Sequence, residues 1–137
     1  MGSEMCIRDS TYSGHPVGAA AAIACVTETL RLNVKDNAAA RGQQLFEGLL
    51  KLYDDFDVIG DVRGGHGLMC ALELVSDRTT KKPIDKATPV KLQRAAYESG
   101  AMIRVSGPNV ILSPPLVLTT EDVDTILASL RSGFQSL

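Results

Sequence analysis

From Val17 to Leu30 nearly every position is small or apolar. A helix that is apolar on every side is a buried one. Pro16 suits its first turn, where a missing N–H costs nothing. The four alanines from Ala19 to Ala22 would let another backbone come close. Asn33 to Asp36 breaks the pattern, and a second helix is predicted from about Asp36 to Tyr53. There Leu45, Leu49 and Leu52 recur at helical spacing, with Phe46 and Leu50 beside them. Arg41, Gln43, Gln44, Glu47 and Lys51 occupy the remaining positions.

The period then shortens. Val58–Arg63 and Leu68–Val75 read as strands about a turn at Gly64-Gly65-His66-Gly67. Asp77 to Pro89 is polar, contains two prolines and reads as a variable surface loop without chemistry. A third helix is predicted from about Thr88 to Ser99, stopped by Gly100. Met102–Val105 and Val110–Ser113 read as short strands around the turn-rich Ser106-Gly107-Pro108-Asn109. The last helix starts at Thr120, capped by Thr119 or Thr120, with Glu121 and Asp122 in its first turn. Val123, Ile126, Leu127 and Leu130 form its apolar face. The order helix, helix, β, β, helix, β, β, helix predicts an α/β layer arrangement.

Length and composition narrow the classes. A chain of 137 residues is one domain or a piece of a larger one, and its 45% hydrophobic content suffices for a core. With only 4% aromatics and no Trp, alanine and branched aliphatics must do the packing. A net charge of −2 with scattered basic residues argues against nucleic acid and anionic membrane as partners. The ten-residue run Val17–Val26 is too short to span a bilayer. Cys6, Cys25 and Cys70 form no CxxC pair, which argues against a zinc site or disulfide framework and for a reduced, cytoplasmic setting. Cys25 and Cys70 lie in apolar runs and read as core residues. Residues 1–10 fit nothing that follows. They resemble translated adapter sequence and are expected to be a non-native or disordered start.

Thr11-Tyr12-Ser13-Gly14-His15-Pro16 places a hydroxyl, a flexible glycine and a proline where a helix begins. Helix N-termini offer unpaired N–H groups and partial positive charge, which suits phosphate. Read alone, Thr11 is a turn or cap residue. His15 and His66 have no second ligand at metal spacing, and His15 reads as a structural or capping residue. Arg63 reads as structural. Arg104, in Met102-Ile103-Arg104-Val105, is a cation in a strand and needs a reason. Read alone it is an edge ion pair, although its planar fork suits a carboxylate.

The run at Thr11 resembles one in the class III (omega) aminotransferases, which use pyridoxal 5′-phosphate. A second stretch, Ile111-Leu112-Ser113-Pro114-Pro115-Leu116 before Thr120-Glu121-Asp122, resembles the same family near its C-terminus. The likeness covers residues 11–137 and is to the amine– or diamine–pyruvate types. The Arg63-Gly64-Gly65-His66-Gly67-Leu68 turn is one residue longer than the family's usual run. Ser10 stands where an aromatic residue is usual.

The resemblance implies the C-terminal part of a fold-type I PLP-dependent transferase. Residues 11–53 would close the large domain and supply the linking helix, and 54–137 would form the small α/β domain. It implies an enzyme moving an amino group from an amine or omega-amino acid to a keto acid such as pyruvate. Thr11 would contact the cofactor phosphate of the neighbouring subunit, so a homodimer is implied. Arg104 would bind the keto acid's carboxylate and swing away from an amine lacking one. The lysine that holds the cofactor as a Schiff base has no counterpart among Lys35, Lys51, Lys81, Lys82, Lys86 and Lys91, so no catalytic residue is expected and the segment alone should be inactive. Two other readings stand beside this one: a cofactor-free α/β interaction module, and a piece of a glutamate-1-semialdehyde aminomutase-like enzyme.

Overall fold

The computed structural model describes residues 14–137, so Thr11 lies outside the described residues. Among the described residues, four helices and five strands follow in the order α1 (Pro16–Arg31), α2 (Val34–Asp55), β1 (Ile59–Arg63), β2 (Cys70–Asp77), β3 (Lys82–Pro83), α3 (Ala87–Glu98), β4 (Arg104–Ser106), β5 (Asn109–Leu112) and α4 (Thr120–Gln135). The chain divides into two compact units, one ending at Val34 and the other running from Lys35 to Leu137.

The first unit is built on α1. His15 caps it, its Nδ1 accepting from the Gly18 N–H at 3.3 Å, and Pro16 opens the first turn. This is the capping role its sequence position suggests. This helix, apolar on every side as a buried helix is, has none of its residues buried among the described residues, which fits an apolar face meant for a larger domain. Val17, Ile23, Val26 and Leu30 are all exposed, and Cys25 is an exposed thiol rather than a core residue. The reason is geometric: a lone helix cannot bury its own all-round apolar surface without a second layer.

The second unit has that second layer. Its antiparallel sheet runs β1-β2-β5-β4, with β3 paired to β2. Leu72 of β2 stands opposite Val62 of β1 and Val110 of β5. Residues Cys70, Leu72, Leu74, Val110 and Leu112 turn into the core, where they join Leu45, Leu49 and Leu52 of α2, Leu92 and Ala96 of α3, and Val123, Leu130 and Phe134 of α4. Leu45, Leu49, Leu72 and Leu74 are wholly buried, each worth about 1.5–3 kcal/mol over exposure. Burial desolvates the Cys70 thiol and pushes its pKa up, so Cys70 is an inert core residue, as its apolar run suggests.

One close fit and two left-handed glycines shape the turn between β1 and β2. A Cβ on Gly42 of α2 would stand 2.3 Å from the Gly67 carbonyl oxygen, so only glycine lets the helix approach there. Gly65 and Gly67 adopt φ of +88° and +84°, which glycine takes freely.

The polar stretch after β2 is not a plain loop. It contains β3, and α3 begins at Ala87. Its first residue, Arg78, donates to the carbonyls of Tyr53 (2.6 Å), Phe56 (2.8 Å) and Ile59 (3.0 Å) and lies 4.0 Å above the Tyr53 ring centre. It thereby satisfies the Tyr53 carbonyl, left open in the last turn of α2, and ties the helix end to the start of β1. Arg63 is structural, as expected, paired at 2.8 Å with both Asp61 and Glu73.

Candidate functional site

The second unit carries a cleft of about 460 Å³ between the chain entering β4, the end of β5 and α4. One wall is Gly100–Arg104. The other runs Ile111-Leu112-Ser113-Pro114-Pro115, with Leu118 and the α4 residues Asp122, Thr125 and Ile126 completing it. The segment that carries Arg104 and the Ile111-Leu112-Ser113-Pro114-Pro115 run therefore face one cavity.

Gly100, at φ +108°, ends α3 and turns the chain. Ala101 N–H reaches back to the Ala96 carbonyl at 2.9 Å. Ala101 and Ile103 are buried, at 5% exposure each, whereas Arg104 is exposed. Arg104 pairs with Ile111 across β4 and β5. Among the described residues its side chain makes no hydrogen bond and no ion pair, so the edge ion pair that a strand arginine suggests is not formed.

The cleft's one carboxylate is committed elsewhere. Asp122 accepts from both the N–H and the hydroxyl of Thr119 at 2.9 Å, while its own N–H donates to the Thr119 hydroxyl at 3.2 Å. These bonds form the capping box of α4 and hold the Asp122 carboxyl below its ordinary pKa. Among the described residues lining the cleft, Arg104 is the one charge left to meet a ligand. An unpaired guanidinium in a cavity whose walls include Ile103, Ile111, Leu112 and Pro114, with the hydroxyl residues Ser113 and Thr125 beside them, suits a carboxylate carried on a small, mostly apolar body.

A polar stripe of α2 fixes the far wall. Asn37 donates to the Leu116 and Leu118 carbonyls at 2.9 and 3.0 Å. Gln44 donates to Asp124 at 2.9 Å, and Arg41 donates to the Thr120 hydroxyl and to Gln44. The sequence places Arg41 and Gln44 off the apolar face of the helix and assigns them no partner. The spacing 37, 41, 44 was the available signal, because it puts three hydrogen-bonding side chains on one face.

The remaining candidates stay apart from this cleft. His66 sits exposed in the glycine turn, and among the described residues no group of His, Cys, Asp and Glu could hold a metal. No single described helix is long and apolar enough to cross a membrane. All six lysines are exposed and none lines the cleft.

The profile of the family described as Aminotransferase class-III matches residues 2–133. A taurine–pyruvate aminotransferase of Bilophila wadsworthia is 36% identical over 135 residues, covering 93% of this chain and 29% of the relative. A diaminobutyrate–2-oxoglutarate transaminase of Halomonas elongata is 37% identical over 122 residues, covering 86% and 26%. The crystal structure of a PLP-bound amine transaminase from an uncultivated Pseudomonas species superposes with a TM-score of 0.88 at 39% identity, over 97% of this chain and 30% of that one. The chain thus spans about three-tenths of the length of these relatives. With its mixed α/β fold and these matches, the chain belongs to the class III aminotransferases and covers a segment of that family.

Proposed function

We propose that this segment is the C-terminal part of a pyridoxal-phosphate-dependent aminotransferase and supplies its carboxylate-binding arginine. The complete protein moves an amino group from an amine or omega-amino acid to a keto acid such as pyruvate. The observation that carries this reading is Arg104, exposed on the cleft wall and unpaired among the described residues. Its planar fork can take a keto acid's carboxylate through two parallel hydrogen bonds.

The described residues do not fit the whole cofactor. A lysine that carries pyridoxal phosphate must be desolvated, and all six lysines here are exposed. No step of the chemistry is therefore assigned to this segment beyond binding and orienting the acid. Thr11 belongs to the proposal as a phosphate contact across a homodimer. Its support is the motif leading into α1, whose start His15 caps and Pro16 opens. The cytoplasmic setting rests on the cysteine pattern.

The test is transamination by the complete protein carrying this segment. A primary amine with pyruvate should yield alanine, and the 137-residue chain by itself should yield none. Absence of amino transfer from any amine or omega-amino acid in the complete, cofactor-loaded protein would overturn the reading.

A further inference from the structure

Arg104 is oriented from one residue upstream, and the geometry points to Gln93 of α3 as a positioning residue for carboxylate binding. This rests on the reading of Arg104 given above. The Gln93 Nε2 donates to the Ile103 carbonyl at 2.9 Å. Strand β4 is the edge of the sheet, paired on one side by β5. Ile103 immediately precedes β4, so Gln93 ties the entrance of that edge strand to α3.

The Ile103 carbonyl and the Arg104 N–H belong to one planar peptide unit. Holding the carbonyl orients that plane and sets the direction in which the Arg104 side chain leaves the backbone. The anchoring elements converge there. The Ile103 side chain is buried at 5% exposure, and the Ser129 hydroxyl donates to the Ser99 carbonyl at 2.8 Å just upstream. Among the described residues no other side chain hydrogen-bonds to residues 101–104. Gln93 does not itself line the cleft, so it acts through the backbone and not on the substrate. With the plane released, Arg104 would sample more directions, and its pairing with a planar carboxylate would suffer first.

The test uses the complete enzyme, with each half-reaction followed in single turnover. Gln93→Leu removes the donor and keeps the bulk. It should raise the apparent dissociation constant for pyruvate about three- to tenfold, the loss expected of one neutral hydrogen bond. The half-reaction with an amine lacking a carboxylate should change less than about twofold. Combined with Arg104→Ala, Gln93→Leu should add no further loss toward pyruvate, because its effect passes through Arg104. Should Gln93→Leu not fold, Gln93→Met carries the same comparison. Equal losses in both half-reactions, or losses that add to those of Arg104→Ala, would make Gln93 merely a stabiliser of the sheet edge and overturn the inference. If Arg104→Ala is itself unselective, it is the carboxylate assignment of Arg104 that fails.

Discussion

Arg78 should be worth more to stability than any other exposed or half-buried charge of the second unit. Its guanidinium donates to three backbone carbonyls at 2.6, 2.8 and 3.0 Å and stacks at 4.0 Å on Tyr53, while its side chain is only 26% exposed. A hydrogen bond to a charged group contributes about 1.5–3 kcal/mol, taken here at the low end because water can reach carbonyls at a helix end. The cation–π contact adds about 0.5–1 kcal/mol. The approach to Asp57 at 3.8 Å adds close to nothing, since that carboxylate is fully exposed. Because such terms are not additive, Arg78→Met should cost about 2–4 kcal/mol, the methionine keeping part of the stem's packing. Arg78→Lys should cost about half of that, because one ammonium cannot reach three carbonyls in a fork.

The assay is urea unfolding of Lys35–Leu137, followed by far-UV circular dichroism. That unit contains the entire core cluster and every partner of Arg78. With an m-value of about 1.5 kcal/mol/M, the Arg78→Met midpoint should fall by roughly 1.3–2.7 M, with Arg78→Lys in between. A fall of less than about 0.3 M for Arg78→Met would refute the clamp and leave Arg78 an ordinary surface residue.

Two further outcomes are expected of the same unit. Gly42→Ala gains about 1 kcal/mol of helix propensity, yet its Cβ would lie 2.3–2.8 Å from Gly67 backbone atoms; a net loss of about 1–3 kcal/mol should appear in the urea midpoint. Gly48→Ala should lose less, because the atoms in its way belong to the flexible end of Leu127. Asp122 has a carboxyl held below its ordinary 3.8 by Thr119, so its stabilisation is present above that pH and fades as pH falls through the depressed value. The midpoint gap between wild type and Asp122→Ala should therefore be fully open at pH ~6 and narrow as the pH is taken progressively below 3.8. A gap that persists unchanged in acid would show that the carboxylate charge is not what the cap uses.

Elements with a regular apolar period were readable from the sequence. Leu45, Leu49 and Leu52 mark the buried face of α2, and Thr119 with Asp122 marks the start of α4. Strand β3 escaped because two residues, one of them proline, carry no period. An apolar helix such as α1 shows that it has a surface to bury, and its exposure among the described residues shows that the covering surface is not among them. At the site, Arg104 stood out because a cation in a strand is unusual. Gln93, Asn37 and Arg78 did not, because polar residues on a helix or loop look solvated until their backbone partners are known. Each acts on a carbonyl, and carbonyls leave no trace in a sequence.

The most direct test of the central claim is single-turnover kinetics of Arg104→Ala in the complete enzyme, with the two half-reactions measured side by side. Loss of a charge-assisted bidentate pair costs on the order of 1.5–3 kcal/mol, so kcat/KM with pyruvate should fall roughly ten- to a hundredfold. The half-reaction with an amine lacking a carboxylate should fall by less than about threefold, and Arg104→Lys should recover pyruvate only in part. Equal losses with amine and keto acid would contradict the account, and would mean that Arg104 serves the fold rather than the carboxylate.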